Sequence, residues 1–179
     1  MSLNLVFGVT ASVAAKYTPK FVRAILNALP GVEIKVVATE RSLYFFDRAE
    51  VPVPVLTDKF EWPEGGYVKG AQVPHIDLGD WADTLLIAPL TADTLSDMAH
   101  GKADKFLTSI VLAWPREKRM ILAPAMNTRM WENPITQANF ETVVQVYRAT
   151  IIGPDEGMLA CGTKGIGAMA NIDAIVGFL

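Results

Sequence analysis

Apolar residues along this chain fall in short, dense runs separated by segments of helical periodicity. Leu3–Val9, Val32–Ala38, Thr84–Leu90 and Arg119–Ala123 each group aliphatic side chains between polar flanks. Runs of this kind predict strands buried on both faces, and Thr150–Gly153 reads as a fifth. Between the first two, Thr18-Pro19 supplies a capping hydroxyl and a first-turn proline, and Pro30-Gly31 stops the helix so begun. Further helices are predicted over Arg41–Asp47, Thr91–Ala99, Lys102–Ala113 and Pro134–Arg148. Strands alternating with helices imply an α/β fold with a parallel, doubly wound sheet. Val51–Gly70, punctuated by Pro52, Pro54, Pro63, Gly65 and Gly66, reads as one long irregular excursion, of the kind that forms lids or partner contacts.

Composition narrows the class. The 179 residues, 51% of them hydrophobic, fit a single domain spanning 1–179. No apolar run approaches the roughly 20 residues of a membrane span, so the surplus is assigned to doubly buried strands or a subunit interface. Net charge is −3 with scattered basic residues, which argues against nucleic acid or an anionic membrane as partner. The one cysteine excludes an internal disulfide and the paired thiolates of a metal site, and no metal is expected. With no basic leader before an apolar stretch, a cytoplasmic location is expected.

In a doubly wound sheet, ligands collect where strands end and loops turn into helices. The first such segment, Gly8–Ala15, lacks the three-glycine dinucleotide fingerprint, which argues against NAD. Its small residues and hydroxyls suit either one phosphate at a helix N-terminus or merely a tight turn. Thr39 and Ser42 after the second strand either face a ligand or cap the next helix. Pro89–Thr94 reads as a strand end turning into a capped helix. Pro124–Pro134 places the amide of Asn127 among methionines and Trp131, suited to gripping a carboxylate or to packing. Of two histidines, His100 closes a helix, and His75, upstream of the third strand, is either structural or a proton carrier. Cys161 lies in the glycine-rich stretch Gly157–Met169, as a packing residue or a working thiol.

Taken in order, G-V-T-A-S-V-A-A-K at Gly8–Lys16, V-V-A-T at Val36–Thr39, V-P-H-I-D-L-G-D-W-A-D at Val73–Asp83, I-A-P-L-T-A-D-T-L at Ile87–Leu95, A-P-A-M-N-T-R-M-W-E-N-P at Ala123–Pro134 and L-A-C-G-T-K-G-I-G-A-M-A at Leu159–Ala170 resemble the flavin-dependent cysteine decarboxylase family. The last two motifs are highly specific. The resemblance implies a three-layer, Rossmann-like (flavodoxin-like) sheet with helices on both faces, and FMN as cofactor. It implies that Ala11, Ser12 and Val13 hold the FMN phosphate, and that Thr39, Glu40 and Arg41 line the cofactor. Thr91, Ala92, Asp93, Thr94 and Ala125 would meet the flavin. It makes His75 the active-site base, Asn127 the grip on the substrate carboxylate with Met130 and Ala160 beside it, and Cys161 the proton donor. The partners implied are a phosphorylated cysteine-amide substrate and copies of the chain, in a trimer or dodecamer with sites between subunits.

The chemistry implied fits these residue types. A cysteine carboxylate cannot leave as CO2 without an electron sink, and oxidation of the adjacent CH2–SH to a thioaldehyde provides one, leaving an enethiol. Family members acting on peptide C-terminal cysteine stop there and lack the L-A-C-G cysteine. Members making 4′-phosphopantetheine for coenzyme A keep it, and that is the reading favoured here. A peptide-cysteine decarboxylase and a flavin-binding regulatory subunit are the alternatives. Two positions depart from the family's P-x-S-A-N-T: Thr91 replaces its Ser and keeps the hydroxyl, and Asp93 replaces its Asn. An ionised carboxylate only accepts hydrogen bonds, so Asp93 is expected to be protonated or to find another partner.

Overall fold

The computed structural model describes residues 3–66 and 68–179; Tyr67, inside the proline-rich excursion, lies outside the described residues. The main sheet has six strands: β1 Asn4–Val9, β2 Glu33–Ala38, β3 Val55–Leu56, β4 Thr84–Leu90, β5 Arg119–Pro124 and β6 Thr150–Ile151. Their order is β3-β2-β1-β4-β5-β6 and every pairing is parallel. This is the doubly wound arrangement expected, with its topological switch between β1 and β4. The helices are α1 Thr18–Ala28, α2 Asp58–Glu61, α3 Pro74–Trp81, α4 Ala92–Ala99, α5 Phe106–Leu112, α6 Thr128–Trp131, α7 Pro134–Tyr147 and α8 Ile172–Val176.

The period-two alternation of strands divides the core. Leu5, Phe7 and Val9 of β1 face one layer with Phe21, Val22 and Ile25 of α1 and Ile175 of α8. Val6 faces the other with Leu85 and Ile87 of β4, Phe106, Leu107 and Ile110 of α5, and Phe140 and Val143 of α7. Phe7 and Phe21 meet edge to face at 5.0 Å. Each of these fully buried large side chains contributes about 1.5–3 kcal/mol. Gly8 is small for a packing reason: a Cβ there would come within 2.8 Å of Leu107 Cδ1.

Several expected elements change form. The helix predicted over Arg41–Asp47 is a short 3-10 turn, Glu40–Tyr44, and the one predicted over Lys102–Ala113 starts only at Phe106. The excursion is more ordered than its prolines suggest. It holds β3 and α2, and α2 is pinned to α5 by the Phe106 N–H donating to Asp58 Oδ1 at 2.8 Å and by Phe60 against Phe106. His75 lies in α3, where the sequence marks no element, because Pro74 at the first helical position sets the turn. The glycine-rich stretch around Cys161 is an antiparallel hairpin, β7 Asp155–Met158 and β8 Lys164–Ala168. Its glycines do not read as strand formers. No helix among the described residues is long and apolar enough to cross a membrane.

Candidate active site

At the switch point, Thr10 follows β1 and is fully buried. Its Oγ1 donates to Pro89 O at 2.8 Å and accepts the Thr91 N–H at 3.0 Å. One hydroxyl thus ties the end of β1 to the end of β4. Beyond it Ser12 caps the 3-10 turn Val13–Tyr17, with Oγ accepting the Ala14 N–H at 3.4 Å. Thr91 caps α4 by accepting from Thr94 N. These caps hold small residues around a cavity of about 700 Å³. Its lining brings together Ala11, Ser12, Thr39, Glu40 and Arg41 from the β1 and β2 ends with Thr91, Ala92, Asp93, Thr94 and Ala125 from the β4 and β5 ends; Met130 also reaches it. Val13 lies instead on the adjoining cavity.

The cavity wall contains an unmet polar group. Thr39 Oγ1 is buried without a hydrogen-bond partner in the structure. A buried hydroxyl left unpaired costs about 1–3 kcal/mol. The volume, the small side chains at Ala11, Ala92 and Ala125, and this orphaned hydroxyl fit a mixed polar and aromatic group of FMN's kind.

Asp93 finds another partner. Its Oδ2 accepts from Lys105 Nζ at 3.3 Å, and the same ammonium donates to Asp97 Oδ2 at 2.6 Å. Burial works against the Lys105 charge, but the bond to Asp97 and the charge of Asp93 outweigh it and hold the ammonium above its ordinary pKa. The Asp in place of the family Asn is therefore accommodated by an ion pair from twelve residues downstream.

A second cavity, about 820 Å³, shares Ser12, Ala125 and Met126 with the first and is closed on its far side by the β7–β8 hairpin. Two bonds dock the hairpin on the loop after β5: the Met126 N–H donates to Gly167 O at 2.9 Å, and Thr128 Oγ1 donates to Ile166 O at 2.7 Å. Gly167 has φ +140°, and a Cβ there would run into Met126 O. Only glycine permits the approach. At the tip, Ala160 and Cys161 line the cavity with Asn127. Asn127 is the N-cap of α6, with Oδ1 accepting the Arg129 N–H, which turns Nδ2 toward the thiol. Nδ2 donates to Cys161 Sγ at 3.3 Å, and Thr163 Oγ1 lies 3.0 Å from the same sulfur. The Thr163 hydroxyl, first among these contacts, holds the exposed thiol below its usual pKa.

His75 is elsewhere. It lines neither cavity; its Nδ1 lies 2.6 Å from Glu61 Oε1, and its backbone N–H donates to Glu61 Oε2 at 3.1 Å. His100 is the C-cap of α4, its Nδ1 2.8 Å from Ser96 O, matching the helix-closing reading. Sequence reasoning missed Thr10, Met126, Thr163, Lys105 and Glu61. Thr10 sits inside a quoted motif, but nothing local marks Glu61. No group of three or more His, Cys, Asp or Glu suited to a metal occurs among the described residues.

The whole chain, residues 1–179, matches the family model described as Flavoprotein. A phosphopantothenoylcysteine decarboxylase of Mus musculus is 41% identical over 173 residues, covering 97% of this chain and 83% of the relative. Among solved structures, a cysteine-to-serine variant of a PPC decarboxylase complexed with pantothenoylaminoethenethiol superposes with a TM-score of 0.92. It is 36% identical, and the match covers 99% of this chain and 96% of that one. The FMN binding protein AtHal3 follows at TM-score 0.89 and 37% identity, over 99% of this chain and 95% of that one. The sheet order, the strand-end cavities and these similarities agree: the chain belongs to the Flavoprotein family and is similar over nearly its whole length to phosphopantothenoylcysteine decarboxylases.

Proposed function

We propose that this protein is an FMN-dependent phosphopantothenoylcysteine decarboxylase, a carboxy-lyase that makes 4′-phosphopantetheine for coenzyme A. The observation that supports it most is the Asn127–Cys161 pair, an amide donor and a thiol with lowered pKa on one cavity wall next to the cofactor cavity. An enzyme that returns a saturated thiol needs a proton donor beside its carboxylate grip, whereas one that stops at the enethiol does not.

Ala11, Ser12, Thr39, Glu40, Arg41, Thr91–Thr94 and Ala125 would hold FMN, with Val13 at the phosphate end. When bound, FMN would supply the redox chemistry, serving as the hydride acceptor and donor for the CH2–SH carbon. His75 takes the thiol proton as that carbon is oxidised. Asn127 orients the carboxylate, with Met130 and Ala160 shaping the substrate's place. Cys161 gives a proton to carbon in the second half-reaction, so the net change is loss of CO2 without oxidation.

The working unit in this reading is a homo-oligomer, a trimer or a dodecamer, in which His75 enters a neighbouring subunit's site. Two facts support it. His75 lines neither cavity of its own chain, and the surface around α2, α3 and α5 exposes Trp62, Val73, Ile76 and Leu112. A lone exposed thiol suits the reducing cytoplasm, where we place the protein.

The test is anaerobic incubation of the flavin-loaded protein with phosphopantothenoylcysteine and, separately, with a peptide ending in cysteine, followed by mass spectrometry. Loss of CO2 from the first without net oxidation is expected. Reaction with the peptide alone would move the assignment to a peptide decarboxylase, and no product from either would sink both enzymatic readings. His75→Asn should slow the first step by about 100-fold or more. Normal turnover by that variant would refute the base.

A further inference from the structure

The Glu61–His75 contact has a geometry that simple surface pairing does not require. The Glu61 side chain is only 7% exposed, and both its oxygens are spent on one residue: Oε1 on the His75 ring and Oε2 on the His75 backbone N–H. The backbone bond has a local reason. Val73, the N-cap of α3, has no side-chain acceptor, so Glu61 satisfies an early helix N–H from a distance. Glu61 is itself fixed, because it ends α2, and α2 is anchored to α5 through Asp58 and Phe60. An ionised carboxylate can only accept, so the ring nitrogen at 2.6 Å must be the donor.

We propose that Glu61 is a positioning residue that locks His75 as the Nδ1–H tautomer, leaving Nε2 as the lone-pair nitrogen. The fixed backbone bond sets the rotation of the carboxylate, and the carboxylate sets the ring. Both partners come from the same chain, so base and orienter travel together to whichever site the ring serves. The proposal deepens the decarboxylase reading, which rests on His75 accepting a proton, and names the atom that accepts it. The logic is that of a carboxylate behind a catalytic imidazole, where the wrong tautomer removes the base without removing the residue.

The experiment is long-range ¹⁵N–¹H NMR of the ¹⁵N-labelled protein. The chain has two histidines, and His100→Gln assigns them. The wild-type His75 ring should show a protonated, pyrrole-type Nδ1 and a pyridine-type Nε2; the reverse pattern would overturn the proposal. In Glu61→Gln the amide oxygen can stay on the backbone N–H only by turning its NH2 to Nδ1, so the proton should move to Nε2. Unchanged ring shifts in a folded Glu61→Gln protein would also overturn it. If Glu61→Gln does not fold, the wild-type spectrum decides alone. With a turning-over enzyme, Glu61→Gln should lower kcat about 100-fold with KM within about twofold. Because the spectrum needs no substrate, an Nδ1–H ring in a protein that decarboxylates nothing upholds the tautomer and sinks only the enzymatic reading.

Discussion

The side-chain amide of Asn127 donates to Cys161 Sγ across 3.3 Å, joining the end of β5 to the tip of a hairpin thirty-four residues later. The bonds from Met126 and Thr128 to β8 seat the hairpin beside the β5 loop, where the two residues meet. The thiol's position is therefore a property of the hairpin's seat on the β5 loop. That relationship makes Cys161 chemically specific.

Cys161→Ser should leave CO2 release intact while trapping the enethiol, a product two hydrogens lighter than the thiol. Serine keeps the bond to Asn127 but is a far weaker acid than a thiol with lowered pKa. Mass spectrometry of the product checks this. Full conversion to the saturated thiol would remove Cys161 from the second half-reaction.

Thr163 bears on the same step through pH. Its hydroxyl favours the thiolate and lowers the Cys161 pKa, so the protonated donor is lost as pH rises through a value below the ordinary thiol range. Thr163→Val should move that loss to higher pH. The rate of alkylation of the thiol by iodoacetamide against pH reads the shift directly, and an upward displacement is expected.

Thr10→Val should test the tie between β1 and β4. The variant leaves the Thr91 N–H without its partner and Pro89 O with only the longer bond from the Thr10 backbone N–H, a loss of about 1–3 kcal/mol in stability. Thr91 then sits less firmly at the cavity edge, so FMN affinity should fall as well. Denaturant melts and flavin fluorescence titration give the two values.

Gly167→Ala should unseat the hairpin, since a Cβ would run into Met126 O and the +140° backbone disfavours a side chain. Thermal unfolding should report a loss of about 1–3 kcal/mol. Reactivity of the Cys161 thiol should also lose its dependence on Asn127 if the tip moves, while Thr163, two residues away on the same tip, moves with it. An unchanged alkylation profile would show that the hairpin keeps its seat.

The sequence by itself determined the layered frame. The apolar runs at 4–9, 33–38, 84–90 and 119–124 became strands because continuous burial on both faces writes itself as unbroken hydrophobicity. Pro19, Pro134 and Thr91 marked helix starts because caps and first-turn prolines act within a few residues. The strand-end motifs gathered at one end of the sheet for the same topological reason.

Only the tertiary structure decided the rest. The glycine-rich stretch around Cys161 carries no strand pattern, yet it is a hairpin, docked where Gly167 passes close to Met126. Asp93 met Lys105 from twelve residues downstream, and Glu61 met His75 from inside an excursion whose prolines hid α2. The separation of His75 from the Asn127–Cys161 cavity has no sequence signal at all. Local burial and capping are written in neighbouring residues, whereas a hydrogen bond across tens of residues depends on where the fold brings its two ends.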